Sequence, residues 1–377
     1  MTSDGKSIGL ALSGGGFRAT LFGLGSLWRL NEIGLLGKLD RITSVSGGSI
    51  LAGILAHRWK NLRFDQGTAS NFFPEIVEPV REFCEQTIDV SAGLWGILTP
   101  FKTAGEFLAD RYDQDLFHGA MLKGIPPAVT DQAPKFIFYA TNMQTGRSFR
   151  FRQDMVADYY LGIAPSLDVP LAEVVAASSA FPPIFSPIIL KTDPLVWQKP
   201  LLKDPDLLDA LRRRIVLADG GVYDNMGLQS LVGTGSGKPQ VDHILVSDAG
   251  APFKIDVSPF EDDLLQLGRV RDILIEQTRA IRKNWLVSDF KAGNKHGAYW
   301  GISTEIKDFQ DSQALTTDNE LTASLEHIAT RLGGFKDEEQ GHLINWGYAL
   351  ADAALRTYAG FHQGPSAEWP LPRWRLA

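Results

Sequence analysis

The sequence predicts an α/β fold in which a mainly parallel central sheet carries helices on both faces and a helical insertion interrupts the sheet-forming pattern. Three observations lead there. The chain opens as strand, helix, strand, helix, with glycines at the turns; short apolar strands return after residue 133; and the stretch between, 61–133, holds helical pieces and no strong strand. Such alternation favours parallel strands covered on both faces.

Residues 7–12 form the first short apolar run, and Gly14-Gly15-Gly16 follows it. A helix is expected over 17–33, with Leu21, Leu24, Trp28 and Leu30 among its apolar positions, and Gly34 and Gly37 end it. Residues 40–45 read as the second strand and 47–60 as the second helix. The 61–133 insertion contains Phe72-Phe73 and an uncharged run at 90–101 with Leu94, Trp95, Ile97, Leu98 and Phe101. That run suits either a lid resting on a lipid–water interface or core packing. Further strands are expected at 135–139, 148–152, 215–218 and 243–247, and helices near 261–285 and 343–358; the Pro- and charge-containing stretch 193–213 reads as a surface loop. The apolar run 174–190 holds Pro182, Pro183 and Pro187, so it reads as a buried crossing rather than a membrane span.

The chain has 377 residues, 44% hydrophobic and 21% charged, without internal repeats or low-complexity tracts. These values exclude a mainly disordered, collagen-like or polytopic membrane protein. The net charge of −7 gives no overall bias toward nucleic acid. Cys84 is the one cysteine, so neither an intramolecular disulfide nor a cysteine zinc site can form. The first apolar run is too short for a signal-peptide core, and a reduced, cytoplasmic protein is expected. The run Gly233 to Pro239 looks like a phosphate loop, but Pro239 stands where a magnesium-binding hydroxyl is needed.

Three Gly-rich strand ends carry the chemistry. The first is Ser13-Gly14-Gly15-Gly16-Phe17-Arg18, between strand and helix. Converging N–H groups at a helix N-terminus make an anion site, which serves as an oxyanion hole, a phosphate loop or only a tight turn. The second, Ser44-Val45-Ser46-Gly47-Gly48, matches the G-x-S-x-G nucleophile elbow apart from Ser44; the alternative for Ser46 is an N-cap. The third is Asp219-Gly220-Gly221, after the 215–218 strand. An Asp at the end of a parallel strand faces the same rim as the other two; the alternative is a turn, with Asp224, Asn225 and Asp248 as neighbours to distinguish. Together they supply oxyanion hole, nucleophile and base, the parts of a serine acyl hydrolase. His243, His296, His327, His342 and His362 follow Asp219, but none lies in a Gly-rich strand end. An Asp219–Ser46 dyad needs no histidine.

These blocks resemble those of the patatin-like phospholipases, lipid acyl hydrolases with a Ser-Asp dyad. Gly14-Gly15-Gly16-Phe17-Arg18 is similar to the family's oxyanion block, Ser46 falls on its nucleophile, the segment from Ala177 to Pro187 resembles its Ala-Ser-x-Ala-x-Pro-x-x-Phe block, and Asp219-Gly220-Gly221 its Asp-Gly-Gly block. The resemblance implies a three-layer patatin-like sandwich, one catalytic domain over 1–377 with 61–133 as insertion or lid. It implies Ser46 and Asp219 as the catalytic pair and an oxyanion hole from Gly14, Gly15, Gly16 and Gly47. Arg18 would brace the loop or meet a phosphate headgroup, unless it is an ordinary surface residue. No cofactor or metal is implied. The expected partner is a phospholipid or other lipid ester met in transient contact with a membrane surface, at a cytoplasmic location peripheral to the membrane. Two other readings are a catalytically idle lipid-binding protein on the same scaffold and an ordinary Ser-His-Asp esterase.

Overall fold

The computed structural model describes residues 5–88, 103–127, 133–165, 167–192, 196–233, 239–253, 255–257, 263–309, 313–361 and 364–376, with backbone alone at 263–265. In chain order the elements are β1 (Ile8–Leu12), α1 (Gly16–Glu32), β2 (Arg41–Val45), α2 (Gly47–Arg58), a small hairpin of β3 (Phe64–Asp65) and β4 (Thr68–Ala69), α3 (Glu78–Glu85) and α4 (Ala104–Tyr112). Then come β5 (Lys135–Asn142), β6 (Arg147–Phe151), β7 (Met155–Asp158), β8 (Gly162–Pro165), α5 (Leu171–Ser179), β9 (Ile188–Lys191), α6 (Pro205–Arg213) and β10 (Arg214–Asp219). The chain continues through α7 (Gly221–Asp224), α8 (Gln229–Val232), β11 (His243–Asp248), α9 (Asp263–Lys291), β12 (His296–Gly301), α10 (Glu320–Leu325) and α11 (Asp337–Tyr358).

The strands form one mixed sheet besides the small hairpin. Its central run, β12-β11-β1-β2-β5, is parallel, and β6, β7 and β8 extend it antiparallel. Side-chain alternation makes the three layers. Ile8, Leu10 and Leu12 of β1, with Leu245 of β11, join the apolar cluster that includes Leu21, Leu24, Ile50, Leu343 and Leu350 from α1, α2 and α11. Ala11, Ile244 and Val246 point the other way, to Met226, Leu231 and Leu286. The three-layer α/β sandwich with helices on both faces is therefore present, and its outer layers are the α1–α2–α11 group and α8–α9. Backbones of α1 and α11 touch: a Cβ on Gly25 would lie 1.9 Å from Ile344 O.

The sheet departs from the expected topology at β10. This strand is not parallel to its neighbours; it runs antiparallel to β5 and β9. On β5, Tyr139 pairs with Val45, the end of β2, and the next residue, Ala140, pairs with Asp219, the end of β10. The two strands thus run head-on along the same side of β5, and their C-terminal ends meet.

Elsewhere, the stretch 193–213 is not all loop, because Asp204 accepts from Asp206 N and Leu207 N and so caps α6. The apolar run 174–190 is the end of α5, a turn and the start of β9. Among the described residues, no helix is long and apolar enough to cross a membrane. The run 90–101 and residues 234–238 lie outside the described residues.

Candidate active site

Ser46 sits between β2 and α2 with φ 50° and ψ −120°. A non-glycine residue in that region is strained, at a cost on the order of 1–3 kcal/mol. Ser46 makes no side-chain cap, so the N-cap reading does not apply. Several contacts hold the elbow in place. Ser46 N–H donates to Ser178 Oγ at 3.0 Å, and Ser178 Oγ–H donates to Tyr139 O at 2.6 Å. Ser49 Oγ lies 2.9 Å from Ser44 Oγ and 2.8 Å from Ser178 Oγ. Ser44, the departure from the usual glycine, is fully buried and finds a hydroxyl partner there.

Asp219 is buried beside it. Its Oδ1 accepts from Gly221 N at 2.6 Å. Its backbone is fixed by Asp219 N–H to Ala180 O, 3.0 Å, and by Thr141 Oγ1–H to Asp219 O, 2.8 Å. Burial raises the carboxyl pKa from the ordinary 3.8 to about 6, opposed by the Ser46 hydroxyl and the Gly221 N–H. Oδ2 is buried without a regular hydrogen bond. The Ser46 hydroxyl is close enough to lower the carboxylate pKa but does not close such a bond to Oδ2. No imidazole contributes to this balance. His243 begins β11, the opposite rim, His342 packs on Trp374, and His327 is exposed beside Glu326; His362 lies outside the described residues.

The glycine loop is stacked on the elbow. A Cβ on Gly47 would lie 2.0 Å from Gly16 O, and Gly16 takes φ 59°. The N–H groups of Gly16 and Gly47 open α1 and α2, where helix N-termini leave donors unpaired. Among the described residues, those two and Gly15 N–H have no internal acceptor. Gly14 differs from expectation. Its N–H is taken by Asn225 O at 2.9 Å, so it has no donor to offer an oxyanion. Its role is space, because a Cβ there would meet Asn225 Oδ1 at 2.2 Å and approach Ser46 Cβ at 3.2 Å.

A strained serine, a buried carboxylate and free N–H donors thus converge where two strands meet head-on. A family model for patatin-like phospholipase matches residues 10–232. The chain belongs to the patatin-like phospholipase family. A search of curated proteins gives no match. Among solved structures the chain is similar to human GIVD cytosolic phospholipase A2, with 14% identity, TM-score 0.55, and coverage of 96% of this chain and 61% of that one. The same protein in complex with methyl gamma-linolenyl fluorophosphonate gives 14% identity, TM-score 0.50, and coverage of 94% and 60%. These likenesses concern the fold. The chain spans about three fifths of that neighbour's length.

In this patatin-like protein the other acids have structural partners. Asp224 accepts from Met226 N and Leu228 N and pairs with Arg282 at 2.5 Å. Asp248 accepts from Gly250 N, Arg279 Nη1 and Tyr299 Oη. Asp248→Asn leaves the buried Arg279 underpaired and is expected to cost roughly 3 kcal/mol, read as a lower melting temperature, while the folded fraction keeps substantial esterase activity. Asp224→Asn keeps substantial activity too. Loss of turnover in a fully folded Asp248→Asn protein contradicts this division.

Arg18 is buried rather than on the surface. It donates to Ala249 O from Nε and Nη2, at 3.2 and 2.7 Å, and to Ile328 O from Nη1 at 2.6 Å. Burial lowers its pKa to about 10. The contacts tie α1 to the chain after β11, which favours the bracing role over headgroup contact. Sequence reasoning did not single out Ser178 or Tyr112. Ser178 lay within the quoted Ala-Ser block, so its position was flagged without a role. Tyr112, from the 61–133 segment, is fully buried and bonds Ser179 Oγ at 3.0 Å; burial and the nearby Asp219 charge push its pKa up. A cavity of about 280 Å³ near Glu106, Asp110 and Glu173 includes neither Ser46 nor Asp219.

Proposed function

We propose that the protein is a lipid acyl hydrolase that cleaves carboxylic esters through Ser46 and Asp219. The observation that carries the reading is the strained, uncapped Ser46 beside a buried carboxylate whose pKa is about 6. A base with that pKa is mostly ionised at neutral pH yet basic enough to take a hydroxyl proton as bonding develops. Ser46 Oγ attacks the ester carbonyl carbon and Asp219 takes its proton. The N–H groups of Gly15, Gly16 and Gly47 receive the oxyanion. Asp219 then returns the proton to the departing alcohol oxygen, leaving an acyl-Ser46 ester. Water attacks that ester, Asp219 again accepts a proton, and Ser46 recovers it as the acid leaves.

Family membership supports a phospholipid or related lipid ester as substrate, met at a membrane surface. The complex of the structural neighbour with a fatty-chain fluorophosphonate is consistent with this chemistry. We place the protein on the cytoplasmic side, peripheral to the membrane; its single cysteine, Cys84, is fully buried. The test is labelling by a fluorophosphonate together with lipid profiling of a mixed phospholipid extract. Wild type labels and releases fatty acid. Ser46→Ala does neither while its melting temperature stays within a few degrees. Full turnover by a folded Ser46→Ala protein sinks the assignment.

A further inference from the structure

The long helix α9 is attached to the body by its charges. Arg279 Nη1 reaches Asp248 Oδ2 at 3.1 Å and Arg282 Nη1 reaches Asp224 Oδ2 at 2.5 Å. Arg271 Nη1 donates to Pro182 O at 2.9 Å, with its guanidinium 4.8 Å from the Phe181 ring centroid. The Lys283 ammonium sits over Tyr299. The outward side carries Leu267, Val270, Ile273, Leu274, Ile281 and Trp285, each between 43% and 64% exposed. At 100° per residue these six fall within about 120° of the helix circumference, and between Leu267 and Trp285 no charged residue shares that sector. The stripe is about 27 Å long at 1.5 Å per residue. An ordinary surface helix turns its apolar side inward; α9 buries Leu286 and carries a second apolar side facing out.

Resting on the lipid-hydrolase reading above, we propose that the outward face of α9 is the surface by which the protein lies on an anionic phospholipid layer. Two observations choose that occupant. The first is position. The helix's arginines grip Phe181-Pro182, which follows the Ser178–Ala180 segment bonded to Ser46 and Asp219, and Asp224, which follows the Asp-Gly-Gly turn. The stripe therefore belongs to a helix packed on the segments adjoining Ser46 and Asp219, so a lipid layer covering it would lie near the site that needs lipid substrate. The second is charge. Over Asp263–Lys291 the sequence has six Lys/Arg against four Asp/Glu, while the whole chain is −7. Arg279, Arg282 and Lys283 are turned to the body, which leaves Arg269 and the 32% exposed Arg271 at the two edges of the stripe; an apolar stripe so edged suits shallow insertion among anionic headgroups.

The test substitutes two exposed residues, Leu274→Glu with Ile281→Glu, in the full chain. Binding is read by cosedimentation with phosphatidylglycerol vesicles in the Ser46→Ala background, so that no lipid is consumed. The paired change is expected to weaken vesicle binding roughly tenfold or more, since each large apolar side chain withdrawn from lipid is worth about a factor of ten. In the catalytically intact protein, hydrolysis of vesicle lipid falls in parallel and hydrolysis of a short soluble ester is unchanged. Equal cosedimentation with and without the two changes overturns the proposal, as does absence of vesicle binding by the parent protein. A dimer that the two changes dissociate, with vesicle binding intact, instead assigns the face to a second copy. A wild type that binds vesicles through the stripe yet hydrolyses no ester refutes the hydrolase reading and leaves the docking face standing.

Discussion

Asp219→Asn is expected to stop ester hydrolysis and to make the protein more stable at neutral pH. The two effects share one cause. Burial holds the carboxyl pKa at about 6, above the ordinary 3.8. Between those values the folded protein keeps a proton that the unfolded chain has released, so stability falls as pH rises through that window and remains reduced above it. The difference of about two units corresponds to roughly 3 kcal/mol at neutral pH. Asparagine keeps an oxygen for Gly221 N–H and removes the buried charge, so a net gain of about 1–3 kcal/mol is expected. Turnover should fall roughly 10³-fold or more, the scale of a lost general base. The wild-type kcat/KM should rise with pH through an apparent pKa near 6. Thermal melts check the stability effect: the variant melts higher than wild type at pH 8, the gap is about halved at pH 5, and it closes below the ordinary carboxyl pKa of 3.8. A variant less stable at pH 8 contradicts the account.

Gly47→Ala is expected to be the most damaging single-methyl change in the site. The new Cβ would lie 2.0 Å from Gly16 O and 2.8 Å from Gly16 C. Both are backbone atoms, so no rotamer change relieves the clash. Either the elbow or the glycine loop must shift, and the N–H groups of Gly15, Gly16 and Gly47 then cease to converge. Loss of one oxyanion donor costs about 10²–10³ in kcat, and displacement of the loop should cost at least that. Fluorophosphonate labelling should slow in parallel. A folded Gly47→Ala protein with near-normal kcat contradicts the assigned oxyanion hole.

The sequence displayed the parallel part of the sheet because those strands are buried on both faces and read as apolar runs. β1, β2 and β11 fall within a residue of their expected bounds. The edges were harder to read. β12, His-Gly-Ala-Tyr-Trp-Gly, is rich in glycine and polar at its start, and β8 ends in proline. Their pairing comes from tertiary context rather than local propensity. The N-terminus of α11, six residues earlier than its apolar pattern, begins with acidic Asp337, Glu338 and Glu339, which suit a helix start but carry no apolar period. At the site, Ser46 and Asp219 stood out through glycine neighbours that exist to permit close approach. The engagement of Gly14 by Asn225 and of Ser46 N–H by Ser178 left no such trace, since each contact joins segments far apart in sequence. The direction of β10 was equally hidden, because an apolar run reads the same whichever way its neighbours run.

That direction bears on how such an enzyme can diversify. Val45 and Asp219 pair with consecutive residues of β5, so the reach from Ser46 to Asp219 is gauged by one strand's repeat rather than by the chain joining them. The loops between α2 and β5 and between β5 and α5 can lengthen or shorten without changing that reach, provided α2, β5 and α5 keep their places. Among the described residues, Tyr112 ties the 61–133 segment to Ser179, next to the Ala180 carbonyl that holds Asp219 N–H, and Gly105 N–H ties it to Ser186. On the proposed hydrolase reading, that segment can vary while Ser46 and Asp219 keep their geometry, and a protease nick there should leave esterase activity behind as long as the two fragments stay associated.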